Sequence, residues 1–118
     1  MEIALSSSAD WTTQLRRGVL ELGILKLLRA RPSYGYELIG RLQDLGPLSA
    51  GENTVYPLLR RLRRDNVLDI SFENSPAGPP RQIYRLSSAG EERLHLLDQE
   101  WADVVEAIGK LEKGELAK

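Results

Sequence analysis

The chain has 118 residues, of which 42% are hydrophobic, enough for one modest core and too few residues for two domains. Its formal net charge is −1 and it has no cysteine, which excludes disulfides and thiol chemistry. No uncharged run approaches the roughly 18 residues that a membrane-spanning helix needs. The start, MEIALSSSAD, lacks a basic leader followed by a long apolar core, so no signal peptide is expected and the protein is read as cytoplasmic. The charge is unevenly spread. Residues 1–90 hold 12 Lys+Arg against 9 Asp+Glu, and residues 91–118 hold 4 against 8, so a mildly basic body carries an acidic tail.

Residues 1–9 read as a flexible N-terminal arm. Asp10 or Thr12/Thr13 is placed to cap a first helix running to about Ala30, where Pro32 ends it. This helix is apolar nearly all round in its second half and should be buried on several sides. A second short helix fits from about Tyr34 to Leu45, with Leu38, Ile39 and Leu42 inward, stopped by Gly46-Pro47. Ser49-Ala-Gly-Glu52 has the form of a capping box opening a third helix to about Asp65, with Asn66 suited to the left-handed residue past its end. The period then changes. VLDISFE alternates as a strand with Leu68, Ile70 and Phe72 on one face, NSPAGPP is a rigid turn, and RQIYRLS alternates again with Tyr84 and Leu86 on one face. Ser87 or Ser88 caps a final helix to about Lys113, with Ser88-Ala-Gly-Glu91 a second box pattern.

Three helices, a hairpin and a last helix make a mainly α, α+β chain with the element order of a winged helix-turn-helix. It divides into the arm 1–9, a DNA-binding domain 10–88 and a C-terminal dimerisation helix 89–118. The third helix, ENTVYPLLRRLRR, takes the place of the DNA-reading element. At 100° per residue Val55, Leu58, Leu59 and Leu62 fall on one face and Asn53, Pro57, Arg60 and Arg64 on the other. Tyr56 and Arg63 flank that outer stripe on one side, Thr54 and Arg61 on the other. No acidic residue a turn away relieves Arg60, whereas a DNA groove supplies the missing negative charge. This assigns Asn53, Thr54, Tyr56, Pro57 and Arg60 to the groove, where arginine can bond guanine bidentately. Arg61, Arg63 and Arg64 fall mainly to phosphates, and Arg81, at the wing tip, to a neighbouring phosphate or the minor groove. The plainer alternative is a solvated basic face paired with Asp65, Asp69 or the acidic tail.

Four stretches in order, LRRGVLELGILKLL, YGYELIGRL, ENTVYPLLRRL and GPPRQIYRLSSAG, resemble the PadR family of bacterial transcription regulators over roughly residues 15–113. The resemblance implies a homodimeric winged-helix repressor that binds palindromic promoter DNA and releases it on binding a small molecule. It also implies that Tyr36, Thr54, Tyr56 and Pro57 occupy DNA-facing positions. Many members carry acidic residues late in the third helix, where this chain has Arg63 and Arg64, a departure that points to stronger phosphate dependence. The single last helix resembles the short branch of the family.

In that last helix Leu94, Leu97, Trp101, Val104, Ile108 and Leu111 are spaced 3, 4, 3, 4 and 3, an a/d seam suited to packing on a second copy. A two-fold dimer presents two recognition helices to a palindrome. Trp101 is bulky for such a seam and carries an N–H that needs a partner. It reads either as core packing or as a platform for a small aromatic or hydrophobic effector, a role that a matching tryptophan has in some short-branch relatives. Trp11 either helps there or seals the interface.

Enzymatic chemistry finds no support. One histidine, His95, and no cysteine cannot build a Cys/His metal site or a Cys–His pair, and the glycines form no phosphate loop. No metal and no cofactor are expected. The rival to a DNA-binding regulator is a winged-helix module that binds an acidic protein or sequesters a ligand with little specific DNA binding.

Overall fold

The computed structural model describes residues 2–112, with side chains from residue 10 onward. Helix α1 runs Glu2–Ala30, strand β1 Ser33–Tyr34, helix α2 Gly35–Gln43, a one-turn 3-10 helix Gly46–Leu48, helix α3 Glu52–Arg64, strand β2 Leu68–Glu73, strand β3 Arg81–Leu86 and helix α4 Ser88–Glu112. The element order is that of a winged helix-turn-helix with a C-terminal helix, as the sequence implies.

The first helix corrects the expectation of a loose arm. No proline interrupts residues 2–30, so the backbone is already helical from Glu2 and no cap opens at Asp10, Thr12 or Thr13. Its second half is buried as expected: Leu20, Ile24, Leu25 and Leu28 are at most 2% exposed. Around them close Leu38 and Leu42 of α2, Val55, Leu59 and Leu62 of α3, Leu68 and Tyr84 of the sheet and Leu94 of α4. Truncating one such leucine to alanine costs about 2–5 kcal/mol.

Helix α2 ends at Gln43, earlier than its apolar pattern suggests, because Gly46 adopts φ +58 and opens the 3-10 turn with Pro47 in its first positions. The Ser49 box does not form. Helix α3 begins after Gly51, whose carbonyl accepts the amides of Thr54 and Val55, and no side chain caps it. Asn66 takes the left-handed conformation at φ 63, closing α3 as its residue type suggests.

The sheet has the order β1-β3-β2 and is antiparallel throughout. Leu68 faces Leu86, Ile70 faces Tyr84 and Phe72 faces Gln82. Strand β1 is two residues long, too short to show alternation, and pairs Tyr34 with Ile83. It stitches the entrance of α2 to the wing.

Ser87, not Ser88, caps α4. Its Oγ accepts the Gly90 N–H at 3.0 Å and donates to the Asn66 carbonyl, and its own N–H bonds the Val67 carbonyl. With Ser87 as cap, Gly90 occupies the third helical position, so the Ser88–Glu91 pairing of a capping box has no geometry to form. Gly90 lies so close to the turn after α3 that an added Cβ meets the Val67 carbonyl oxygen at 2.2 Å. Gly90→Ala is therefore expected to destabilise the fold by about 1–3 kcal/mol, as overpacking against rigid backbone does. Urea unfolding followed by circular dichroism checks this, and an unchanged midpoint contradicts it.

Candidate nucleic-acid interface

Helix α3 holds its two faces apart as the wheel requires. Val55, Leu59 and Leu62 are buried, while Asn53, Thr54, Pro57, Arg60, Arg61, Arg63 and Arg64 are exposed. Pro57 lies in the second helical turn, where it lacks the N–H that would bond the Asn53 carbonyl. A backbone acceptor is thereby released on the exposed face. Arg60, Arg63 and Arg64 form no hydrogen bond or salt bridge among the described residues. The solvated-face alternative required such pairs. Among the described residues the one pair of that kind is Arg61 to Asp65, at 4.0 Å.

Arg61 departs from its expected place. Its guanidinium donates to Glu21 Oε1 at 3.0 Å, so it is tied to α1 rather than presented with its neighbours. Glu21 Oε2 also accepts Arg93 Nε of α4 at 2.8 Å. Burial pushes the Glu21 carboxyl up, but the bonds and charges of Arg93 and Arg61 outweigh it and hold its pKa below the ordinary value of 4.5. Nothing in the helix periodicity of α3 could have revealed this partner, which lies 40 residues away.

Between α3 and the wing runs a groove. Tyr56, Arg60, Arg63, Ile70, Gln82 and Tyr84 line a part of about 250 Å³. It continues into about 270 Å³ between Tyr34, Gly35, Tyr36, Tyr56, Pro80, Arg81, Gln82 and Tyr84. Tyr56 is half-buried and seated on Gly35, where a Cβ would lie 2.5 Å from its ring, so the glycine of Tyr-Gly-Tyr exists to admit that ring. Tyr36 is exposed and stacks on Tyr34, with ring centroids 5.5 Å apart and planes within 10°. Arg81 is not at the wing tip. It opens β3 at the root of the turn, opposite Glu73, with its guanidinium 5.6 Å from the centre of the Tyr34 ring. Tyr34 in turn donates to Glu73 Oε2 at 2.7 Å. Sequence reasoning missed Tyr34 and Gln82 as groove residues, and took Tyr84 only as a strand-face residue. The register of β1 on β3 brings them in.

The last helix divides. Leu94 is 1% exposed and belongs to the core of its own chain, so the seam begins later than the spacing suggests. Leu97 is half-buried, whereas Trp101, Val104, Ile108 and Leu111 are exposed, with Trp101 at 39%. Trp101 shares with Leu15, Val19, Leu22, Gly23, Lys26, Leu45, Pro47 and Leu48 a groove of about 460 Å³ between α1, α4 and the 3-10 turn. Trp11 is 63% exposed and does not line it. No cluster of His, Cys, Asp and Glu able to hold a metal occurs among the described residues, and none of their helices is long and apolar enough to cross a membrane.

The Transcriptional regulator PadR-like family matches residues 24–96. The chain belongs to this family. A PadR family transcriptional regulator from Eggerthella lenta is 32% identical, with a TM-score of 0.84 over 94% of this chain and 96% of that one. A PadR-like transcriptional regulator from Bacillus cereus is 33% identical, with a TM-score of 0.76 over 86% and 98%. An uncharacterised protein of Lysinibacillus sphaericus is 31% identical over 83% of this chain and 92% of its own. The protein is thus a DNA-binding transcriptional regulator of the PadR family and not an enzyme. In this PadR regulator the Glu21 carboxylate is a stabilising charge. Its folded pKa is depressed, so its contribution is complete above the unfolded value and fades as pH falls through the folded one. Glu21→Gln is expected to lose about 1–2 kcal/mol near neutrality, both guanidiniums being partly solvated. The gap to wild type should close in acid below pH 4.5, measured by urea unfolding across a pH series.

Proposed function

We propose that this regulator is a homodimeric repressor that reads a palindromic operator and is released by a small aromatic or hydrophobic effector. One observation carries the DNA half of this reading. Arg60, Arg63 and Arg64 stand unpaired on the exposed face of a helix whose other face is locked in the core. Like charges at that density repel one another, and a phosphate backbone relieves them while releasing counterions. Asn53, Thr54, Pro57 and Arg60 then meet base edges, Tyr36 and Tyr56 border the groove, and Arg63, Arg64 and Arg81 take phosphates. Arg61 contributes by anchoring the helix. Binding chromosomal DNA places the work in the cytoplasm.

The homodimer is supported by the outer half of α4. Val104, Val105, Ile108 and Leu111 are each more than half exposed, an apolar ridge that a second copy covers by symmetry. Such a dimer sets its two recognition helices about 34 Å apart, one turn of DNA. The effector reading rests on Trp101, whose ring borders the apolar groove against α1. A ligand there shifts the equilibrium between helix spacings and lowers operator affinity by the coupling energy.

The decisive experiment selects duplexes from a random pool with wild-type protein, then measures fluorescence anisotropy on the selected and a scrambled sequence. Arg60→Ala should weaken the selected duplex by about 1–3 kcal/mol and relax its sequence preference. Arg64→Ala should weaken both duplexes alike and reduce the salt slope by about one. If duplex DNA never displaces an acidic protein partner from the stripe, the DNA reading of these residues is wrong. For the dimer, Ile108→Glu should convert the species seen by sedimentation equilibrium to monomer while leaving the circular dichroism of the winged domain intact. For the cleft, 1-anilinonaphthalene-8-sulfonate should gain fluorescence with wild type and not with Trp101→Ala, and should weaken operator binding as it saturates.

A further inference from the structure

Glu21 is the one buried acidic or basic side chain among the described residues, at 8% exposure, and it sits in the most apolar part of α1. Its two oxygens are divided between two helices: Oε1 takes Arg61 of α3 and Oε2 takes Arg93 of α4. The two contacts span 40 and 72 residues of sequence, so the carboxylate is a junction of elements that approach one another only in the folded chain. Arg61 neighbours Arg60 in the recognition helix. Arg93 lies on α4 below the apolar ridge, and Glu21 precedes Leu22, which lines the Trp101 groove. An open groove of about 420 Å³ surrounds the junction, lined by Asp65, Glu92 and Leu96 besides the triad. The start of α4 is already held to the turn after α3 at Ser87 and Gly90, so the carboxylate adds a second point of attachment between the two helices.

We infer that Glu21 is a positioning residue for DNA recognition, fixing the angle of the recognition helix relative to α4 by holding Arg61 and Arg93 on one carboxylate. This rests on the reading of α3 as the DNA-facing helix. A plain stabilising bridge and a positioning bridge differ in what they predict for sequence discrimination. The leucines of α3 keep the helix folded on the core whichever way its guanidinium points. The one bond from Arg61 to the carboxylate adds to their packing a directed restraint on the rotation of the helix about its own axis. Operator reading depends on that rotation, because base contacts demand registry while phosphate contacts tolerate its loss.

The test uses Arg93→Gln, a side chain that does not line the groove between α3 and the wing and is 42% exposed, so that folding survives its change. Binding of a fluorescein-labelled duplex selected by the wild-type chain, and of a scrambled duplex, is measured at one salt concentration. The inference expects the selected duplex to weaken roughly tenfold, within the usual range of coupling between sites. The scrambled duplex should stay within roughly twofold, because the phosphate-facing arginines remain. Glu21→Gln should produce the same loss of discrimination, and adding Arg93→Gln to it should cost less than either alone. Wild-type discrimination in folded Arg93→Gln overturns the positioning role and leaves Glu21 a stabilising bridge. If the wild type itself cannot tell the two duplexes apart, the reading of α3 falls and the inference falls with it.

Discussion

From Leu20 to Leu28, α1 is apolar on nearly every side, and each side takes a different cover. Helix α2 and the 3-10 turn, strand β3 and helix α4 all pack on it. Each buried leucine or isoleucine is worth about 1.5–3 kcal/mol, and a domain's whole net stability is about 5–15 kcal/mol. No single cover can be lost without a large fraction of the fold. A helix surrounded in this way also has to accept whatever polar group its sequence places inside. Glu21 is that group, and its burial is tolerable only because two arginines, one from α3 and one from α4, reach it.

The same core gives α3 its double character. Val55, Leu59 and Leu62 hold one face at no more than 1% exposure, which leaves the other face no choice but solvent or a partner. The arginines there are displayed by the leucines. Pro57 adds a local consequence, since the missing N–H frees a carbonyl on the displayed side. The wing completes the surface through β1, which holds Tyr34 against β3 and so brings Tyr36, Tyr56 and Arg81 to one groove.

Most of this was legible because it is periodic. The helix faces of α2 and α3, the hairpin, the left-handed Asn66 and the apolar ridge of α4 all follow from spacing and residue type. What was not legible depends on distance in sequence. The Ser49 box has the right residues, but the packing of the 3-10 turn starts α3 after Gly51 instead. Leu94 fits the seam by spacing, yet its position near the start of α4 drives it into the chain's own core. Arg61 is indistinguishable from Arg63 or Arg64 until Glu21 is known to face it. The signal that could have found Glu21 was present: a lone carboxylate in the run VLELGIL occupies a position where every neighbour is core. The N-terminal segment failed for the opposite reason, since Asp10, Thr12 and Thr13 suggested a helix start where no proline breaks the helix before them.

Charge separation, not net charge, decides how such a molecule meets DNA. The sum of −1 conceals arginines gathered on α3 and carboxylates gathered along α4, with Glu91, Glu92, Glu100, Asp103 and Glu106 exposed. At physiological ionic strength charges farther apart than about 8 Å are largely screened from one another. Carboxylates of α4 farther than that from Arg60, Arg63 and Arg64 therefore do not cancel their charge. In the proposed mode of binding, the acidic face of α4 repels the polyanion in encounters made in the wrong orientation. The acidic sign of α4 is thus compatible with a protein whose exposed run of unpaired arginines, among the described residues, lies on α3.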